Sequence, residues 1–175
     1  MKLAVLLALS VVLACCALDL DLKATTGLTY STGQWGNSLN TGVRAGFIAN
    51  WIVTPSLRAG AGFALSVFGS DDRGAASLTF LSPQIRAGYY LRPWGNVFNP
   101  GLVCSFGFCR SSLSNSGGTD PASWDPFWKA GLRWNFNIGG GFRGEVGGDY
   151  SSIMAQKESA DSFILLFEFS REVTL

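Results

Sequence analysis

Polar and apolar residues alternate along most of this chain. In "ALDLDLKATTGLTYST", residues 17–32, Leu18, Leu20, Leu22, Ala24, Thr26, Leu28 and Tyr30 share one parity, while Asp19, Asp21, Lys23, Thr25, Gly27, Thr29 and Ser31 share the other. A period of two belongs to a β-strand, whose successive side chains point to opposite faces. The same alternation predicts further strands over 39–53, 57–67, 81–91, 102–109, 128–136, 142–150 and 163–175. Between them lie Thr54-Pro55, "GSDDRGA", "PWGN", the long "SSLSNSGGTDPASWD", the glycines 139–141, and "MAQKESAD". Pro83 is awkward inside its run, because a paired strand needs its N–H. Eight antiparallel segments joined alternately by compact turns and longer polar loops predict an all-β, up-and-down barrel of eight strands over residues 18–175. A Greek-key sandwich is the other arrangement open to such strands, and the loop rhythm argues against it.

Alternation alone does not say which face meets water. The polar parity holds Gly42, Gly46, Gly60, Gly62, Gly88, Gly107, Gly131 and Gly147 among Arg44, Arg58, Arg86, Arg133 and Arg143. A soluble barrel would carry Lys and Glu outside, and an exposed strand glycine packs nothing. In a narrow interior, by contrast, glycine makes room for a neighbouring arginine. The polar parity is therefore read as the lumen, and the Leu, Val, Ala and Phe parity as the face that meets lipid. Trp35, Tyr30, Trp51, Tyr89, Trp124, Trp128 and Tyr150 fall towards run ends, where aromatic girdles lie. Arg110 and Arg171 share the lipid parity near strand ends, where long stems snorkel.

Composition agrees with a partly non-aqueous surface. Charged residues are 14% and hydrophobic residues 47% of 175, against about 25% charged in soluble domains. Past residue 17, no stretch approaches the roughly 20 apolar residues of a spanning helix. A net charge of +1, with no basic cluster, gives no case for nucleic acid. Residues 1–17 read as a signal peptide, with Lys2, the apolar run Leu3–Leu13 and a cut after Ala17. In the competing reading, Val12-Leu13-Ala14-Cys15 resembles a lipoprotein attachment box, with Cys15 lipidated instead of removed. Cys104 and Cys109 would stand about 16 Å apart on a straight strand at roughly 3.3 Å per residue. They cannot form a disulfide there, and they read as small buried residues.

A leader followed by eight such strands resembles the small outer-membrane β-barrels, the group that contains the OmpA membrane domain, OmpX and OmpW. The resemblance covers residues 18–175 as a pattern. It implies residence in the bacterial outer membrane after export, contact with outer-membrane lipid, and insertion by the assembly machinery. Leu175 departs from the aromatic residue that commonly ends the last strand of that class.

The chain has no histidine, so the activities of those small outer-membrane barrels that are hydrolases, which resemble one another in using histidine as the general base or its partner, do not carry over. Lys23, Lys129 and Lys157 have no catalytic motif around them, and "GGGF" at 139–142 is a turn, since no helix follows it. Asp71-Asp72 read as a solvated turn. No enzyme activity, cofactor or metal is expected. What remains is a lumen charge network: Arg44, Arg58, Arg86, Arg133, Arg143, Glu145, Asp149 and Glu168. By parity, Lys23, Arg92, Lys129, Asp19, Asp21 and Glu172 join it. Arg86, Arg133, Glu145 and Glu168 are predicted to interact across the interior. Unpaired charge is costly there, so a salt-bridged plug is expected. The leading function is a structural or surface-interaction barrel whose loops at 33–38, 69–76, 111–126 and 153–162 meet an extracellular ligand. The alternatives are a narrow pore for small ions or solutes and a soluble exported ligand-binding barrel.

Overall fold

A computed structural model describes residues 19–32, 41–69, 77–92, 98–115, 118–119, 123–154 and 159–174. The expected leader, Trp35, Asp71, Asp72, Lys157 and Leu175 lie outside the described residues. Long antiparallel strands run as β1 (Asp19–Thr32), β2 (Gly42–Ile52), β3 (Leu57–Gly69), β4 (Ser77–Tyr90) and β5 (Asn99–Asn115). They continue as β7 (Ser123–Gly139), β8 (Phe142–Met154) and β9 (Ser159–Thr174), while β6 (Gly118–Thr119) is a two-residue strand against the end of β5. Each long strand pairs with its neighbours in the chain, and β1 pairs β9 to close the ring. The architecture is an eight-stranded up-and-down barrel.

The period of two is realised residue by residue. In β4, Leu81, Pro83, Ile85, Ala87 and Tyr89 are exposed, and Ser82, Gln84, Arg86, Gly88 and Tyr90 are buried. Pro83 keeps its place opposite Phe63 of β3. The ladder to β5 breaks beside it, between Leu81↔Arg110 and Gln84↔Gly107, where its missing N–H would have paired.

Local chemistry makes the turns at one end. The backbone N–H groups of Ser56 and Leu57 donate to Thr54 Oγ1 at 3.3 and 3.0 Å. Gly139, Gly140 and Gly141 have φ of 100°, 62° and 80°, left-handed values that glycine adopts without a Cβ penalty. Asn99 pins both sides of its turn, accepting from Arg92 N at 3.0 Å and donating to Arg92 O at 2.8 Å.

The loops differ from the sequence expectation. Residues 111–126 are mostly strand, since β5 runs to Asn115 and β7 starts at Ser123, with Ser111 facing Ser123 and their hydroxyls 2.8 Å apart. Polar side chains do not end a strand whose backbone groups still have a partner. The connection expected over 153–162 likewise shrinks to 155–158, and the one at the opposite end, 91–98, is no shorter than 70–76. The simple alternation of short and long connections therefore fails.

The interior is polar along most of its length. At the end carrying the 70–76 and 155–158 connections, Phe68, Leu78, Phe80, Cys109 and Phe127 form an apolar cluster, with Ile153 packed on it. The polar lumen expected from parity gives way to apolar packing there. Cys109 is buried but Cys104 is exposed on the outer face, so only one of the two cysteines is a small buried residue. On the outer face Trp128 packs on Tyr150 with centroids 5.6 Å apart, and Tyr150 on Phe163 at 6.1 Å. Arg110 and Arg171 are exposed, the latter with its guanidinium 5.2 Å from the Phe142 ring centroid.

Candidate functional site

Five strands bring charge to the middle of the lumen. β8 and β9 supply Glu145 and Glu168, which are partners in register, so two carboxylates stand side by side. Both are almost completely buried. Like charges in directly opposed strand positions repel, and this pair is tolerable only because cations surround it. Arg86 of β4 reaches across to Glu168 in a two-point contact, Nη1 to Oε1 at 2.7 Å and Nη2 to Oε2 at 2.8 Å. It also lies 3.9 Å from Glu145. Lys23 of β1 donates to Glu145 and stands 3.5 Å from Asp21 and 3.8 Å from Glu168. The Tyr90 hydroxyl donates to the other Glu145 oxygen at 2.9 Å. Charge-assisted and bidentate contacts of this kind are the strong ones.

β7 adds a second pair to the same cluster. Arg133 Nη1 and Nη2 donate to Asp149 at 2.5 and 2.9 Å, and Arg133 Nε lies 3.7 Å from Glu168. In register, Gly131 stands opposite Asp149 and Gly147 opposite Arg133, so each charged side chain crosses over a glycine. A Cβ on Gly131 would strike the Asp149 carboxylate, and one on Gly147 would sit 2.7 Å from Arg133 Cδ. These two glycines leave the room that the pair occupies. Lys129 completes the group at 3.6 Å from Asp149.

Not every charge predicted for the lumen joins this cluster. Arg58 and Arg143 instead meet Glu172 at 3.4 and 3.3 Å, in a smaller group at the turn end where Glu172 is 38% exposed. Asp19 and Arg92 are exposed at the rim, and Asp19 accepts from Thr174 Oγ1 at 2.8 Å. Parity gives the face of a residue but not its height along the barrel. Arg44 is buried near the opposite end and donates to Ser66 Oγ at 3.0 Å, with no carboxylate among the described residues within ion-pair distance.

Two residues outside the eight-residue network expected from the sequence are central to the cluster: Lys23, which parity alone puts in the lumen, and Tyr90, which follows Gln84, Arg86 and Gly88 on the inward parity. Among the described residues, no three His, Cys, Asp or Glu side chains converge as a bound metal needs.

No protein-family model and no curated protein matches the sequence. The fold, by contrast, is that of the small outer-membrane β-barrels. Neisserial surface protein A aligns with a TM-score of 0.66 at 13% identity, over 88% of this chain and 97% of that one. OprG from Pseudomonas aeruginosa aligns at 0.57 and 10%, over 91% and 97%. The outer membrane enzyme PagL aligns at 0.52 and 18%, over 85% and 97%. At these identities the likeness is one of fold.

Proposed function

We propose that this chain is a non-enzymatic barrel of the bacterial outer membrane, with a lumen closed by its own side chains and its hairpin ends available to an extracellular ligand. One observation carries the reading: the barrel is inverted relative to a soluble protein. Lys23, Arg133, Glu145 and Glu168 are shut inside, while Val43, Phe63, Ile85, Leu102, Leu132 and Leu165 are exposed outside. Water does not favour that much contiguous apolar surface, and a bilayer accepts it without conflict. The same inversion speaks against a soluble exported ligand-binding barrel.

The closed lumen is the second part of the proposal. Two-point ion pairs fill the middle of the interior, and the Phe68–Phe80–Phe127 cluster fills one end, which together support a plug rather than a pore. The fold likeness to other outer-membrane barrels supports export, insertion by the assembly machinery and contact with outer-membrane lipid. Because PagL shares the fold, the fold is neutral on catalysis. The absence of histidine, and of any recognisable nucleophile–base pair among the described lumen residues, supports a non-enzymatic role. Fractionation of cells that make the protein tests the location: it is expected in the detergent-dependent membrane fraction, with faster migration before heating than after. Release in the soluble fraction would overturn the proposal.

A further inference from the structure

We propose that the lumen holds a small monovalent anion, of halide size, beside Arg44. Three observations converge. Among the described residues, six cationic side chains are buried (Lys23, Arg44, Arg58, Arg86, Lys129 and Arg133) against four carboxylates (Asp21, Glu145, Asp149 and Glu168). Two cations are in excess among these buried groups, and burying unpaired charge is costly. Glu172 meets Arg58 at the rim, and Asp149 serves both Arg133 and Lys129. Arg44 is the member without a carboxylate.

The second observation is local. Arg44 is 7% exposed and Thr29 2% exposed, yet Arg44 Nη2 and Thr29 Oγ1 are buried without a hydrogen-bond partner. Ser66 Oγ accepts from Arg44 Nη1, which leaves its own proton free to donate. Buried polar atoms are nearly always satisfied, so two orphan donors in one place ask for an acceptor.

The third is space. Arg44, Thr29 and Ser66 border one cavity of about 30 Å³, whose other walls include Phe68 and Ile164. That volume suits a halide or two to three waters, at roughly 10–15 Å³ of probe volume per water. Guanidinium and hydroxyl donors against an apolar wall suit a weakly hydrated anion. Asp161 also borders the cavity; it is half-buried on the parity of Phe163, and although Tyr150 is one hydrogen-bond partner, its Oδ1 is buried without one, so the site is the Arg44, Thr29 and Ser66 side of the cavity. The site does not depend on whether the barrel conducts.

The test uses the whole barrel in detergent or nanodiscs. Crystals soaked in sodium bromide should show an anomalous peak between Arg44 and Thr29. Replacing sodium gluconate by sodium chloride at constant ionic strength should raise the urea midpoint saturably. Arg44→Gln should abolish both effects, Arg44→Lys should retain them, and Thr29→Val should weaken chloride binding several-fold. If Arg44→Gln does not fold, the bromide peak and Thr29→Val decide. Anomalously silent, water-like density, a peak without saturable stabilisation, or a chloride effect unchanged in Arg44→Gln or Thr29→Val would each overturn the proposal.

Discussion

Glu145 and Glu168 face one another in register across β8 and β9, both shut away from water. They are held by Lys23 from one side and by Arg86 from across the lumen. Adjacent buried carboxylates repel, and the cations offset that repulsion between two paired strands. Through Arg133 the same group reaches Asp149, which makes one network from five strands.

Lys23→Met should therefore destabilise the barrel strongly, by about 3–5 kcal/mol, the usual cost of breaking a buried pair from one side. Adding Glu145→Gln should recover a large part of that loss, because the second change removes the stranded charge. Urea unfolding of both variants, followed by tryptophan fluorescence, measures it. Additive losses would show that the two residues are not coupled.

The outer and inner faces are tested by neighbours on β7. Leu132→Arg, on the exposed face, should cost about 2–4 kcal/mol in a bilayer. Arg133→Leu should destabilise by unpairing Asp149 and should do so in detergent as well as in lipid. An arginine at 132 without cost in lipid would mean that this face does not meet the bilayer.

Two adjacent glycines separate crowding from backbone freedom. Gly147→Ala places a methyl 2.7 Å from Arg133 Cδ and against the Leu132 carbonyl, whereas at Gly148 the nearest atoms are 3.8 Å away. The first should cost about 1–3 kcal/mol as an overpacked site; the second should be near neutral. Equal unfolding midpoints would refute the crossing geometry of Arg133 and Asp149.

The cysteines report the same two faces without a new charge. A nitroxide on Cys104 in a Cys109→Ser background should be relaxed by oxygen dissolved in lipid and little by a water-soluble nickel chelate. Preferential relaxation by the chelate would put that position in water.

Much of this was legible in the sequence, because a strand's side-chain period is fixed by its backbone. Leu132 and Arg133, or Glu168 and Phe169, are assigned to opposite faces by parity alone. Pairing across the lumen was less legible. Lys23 and Glu145 are 122 residues apart in sequence, and which cation meets which carboxylate depends on the stagger between strands, which alternation does not encode. Parity puts Arg86, Arg143 and Glu168 on one face, but only the stagger decides that Arg86 meets Glu168 while Arg143 meets Glu172. Strand ends were legible only where glycine or proline marks them: the triple glycine placed its turn, but Ser111–Asn115 continued as strand because β4, β6 and, at Ser111, β7 still offered partners.

The central claim is that the lumen is closed by its own charges. Planar-bilayer recording of the wild type and of Glu168→Gln tests it most directly. The account predicts no steady open-channel current in the wild type and only a small rise in the variant, since Arg86, Arg133 and the phenylalanine cluster still occupy the interior, even as the variant unfolds at lower urea. A steady open-channel current through the wild-type barrel would contradict it and establish a pore.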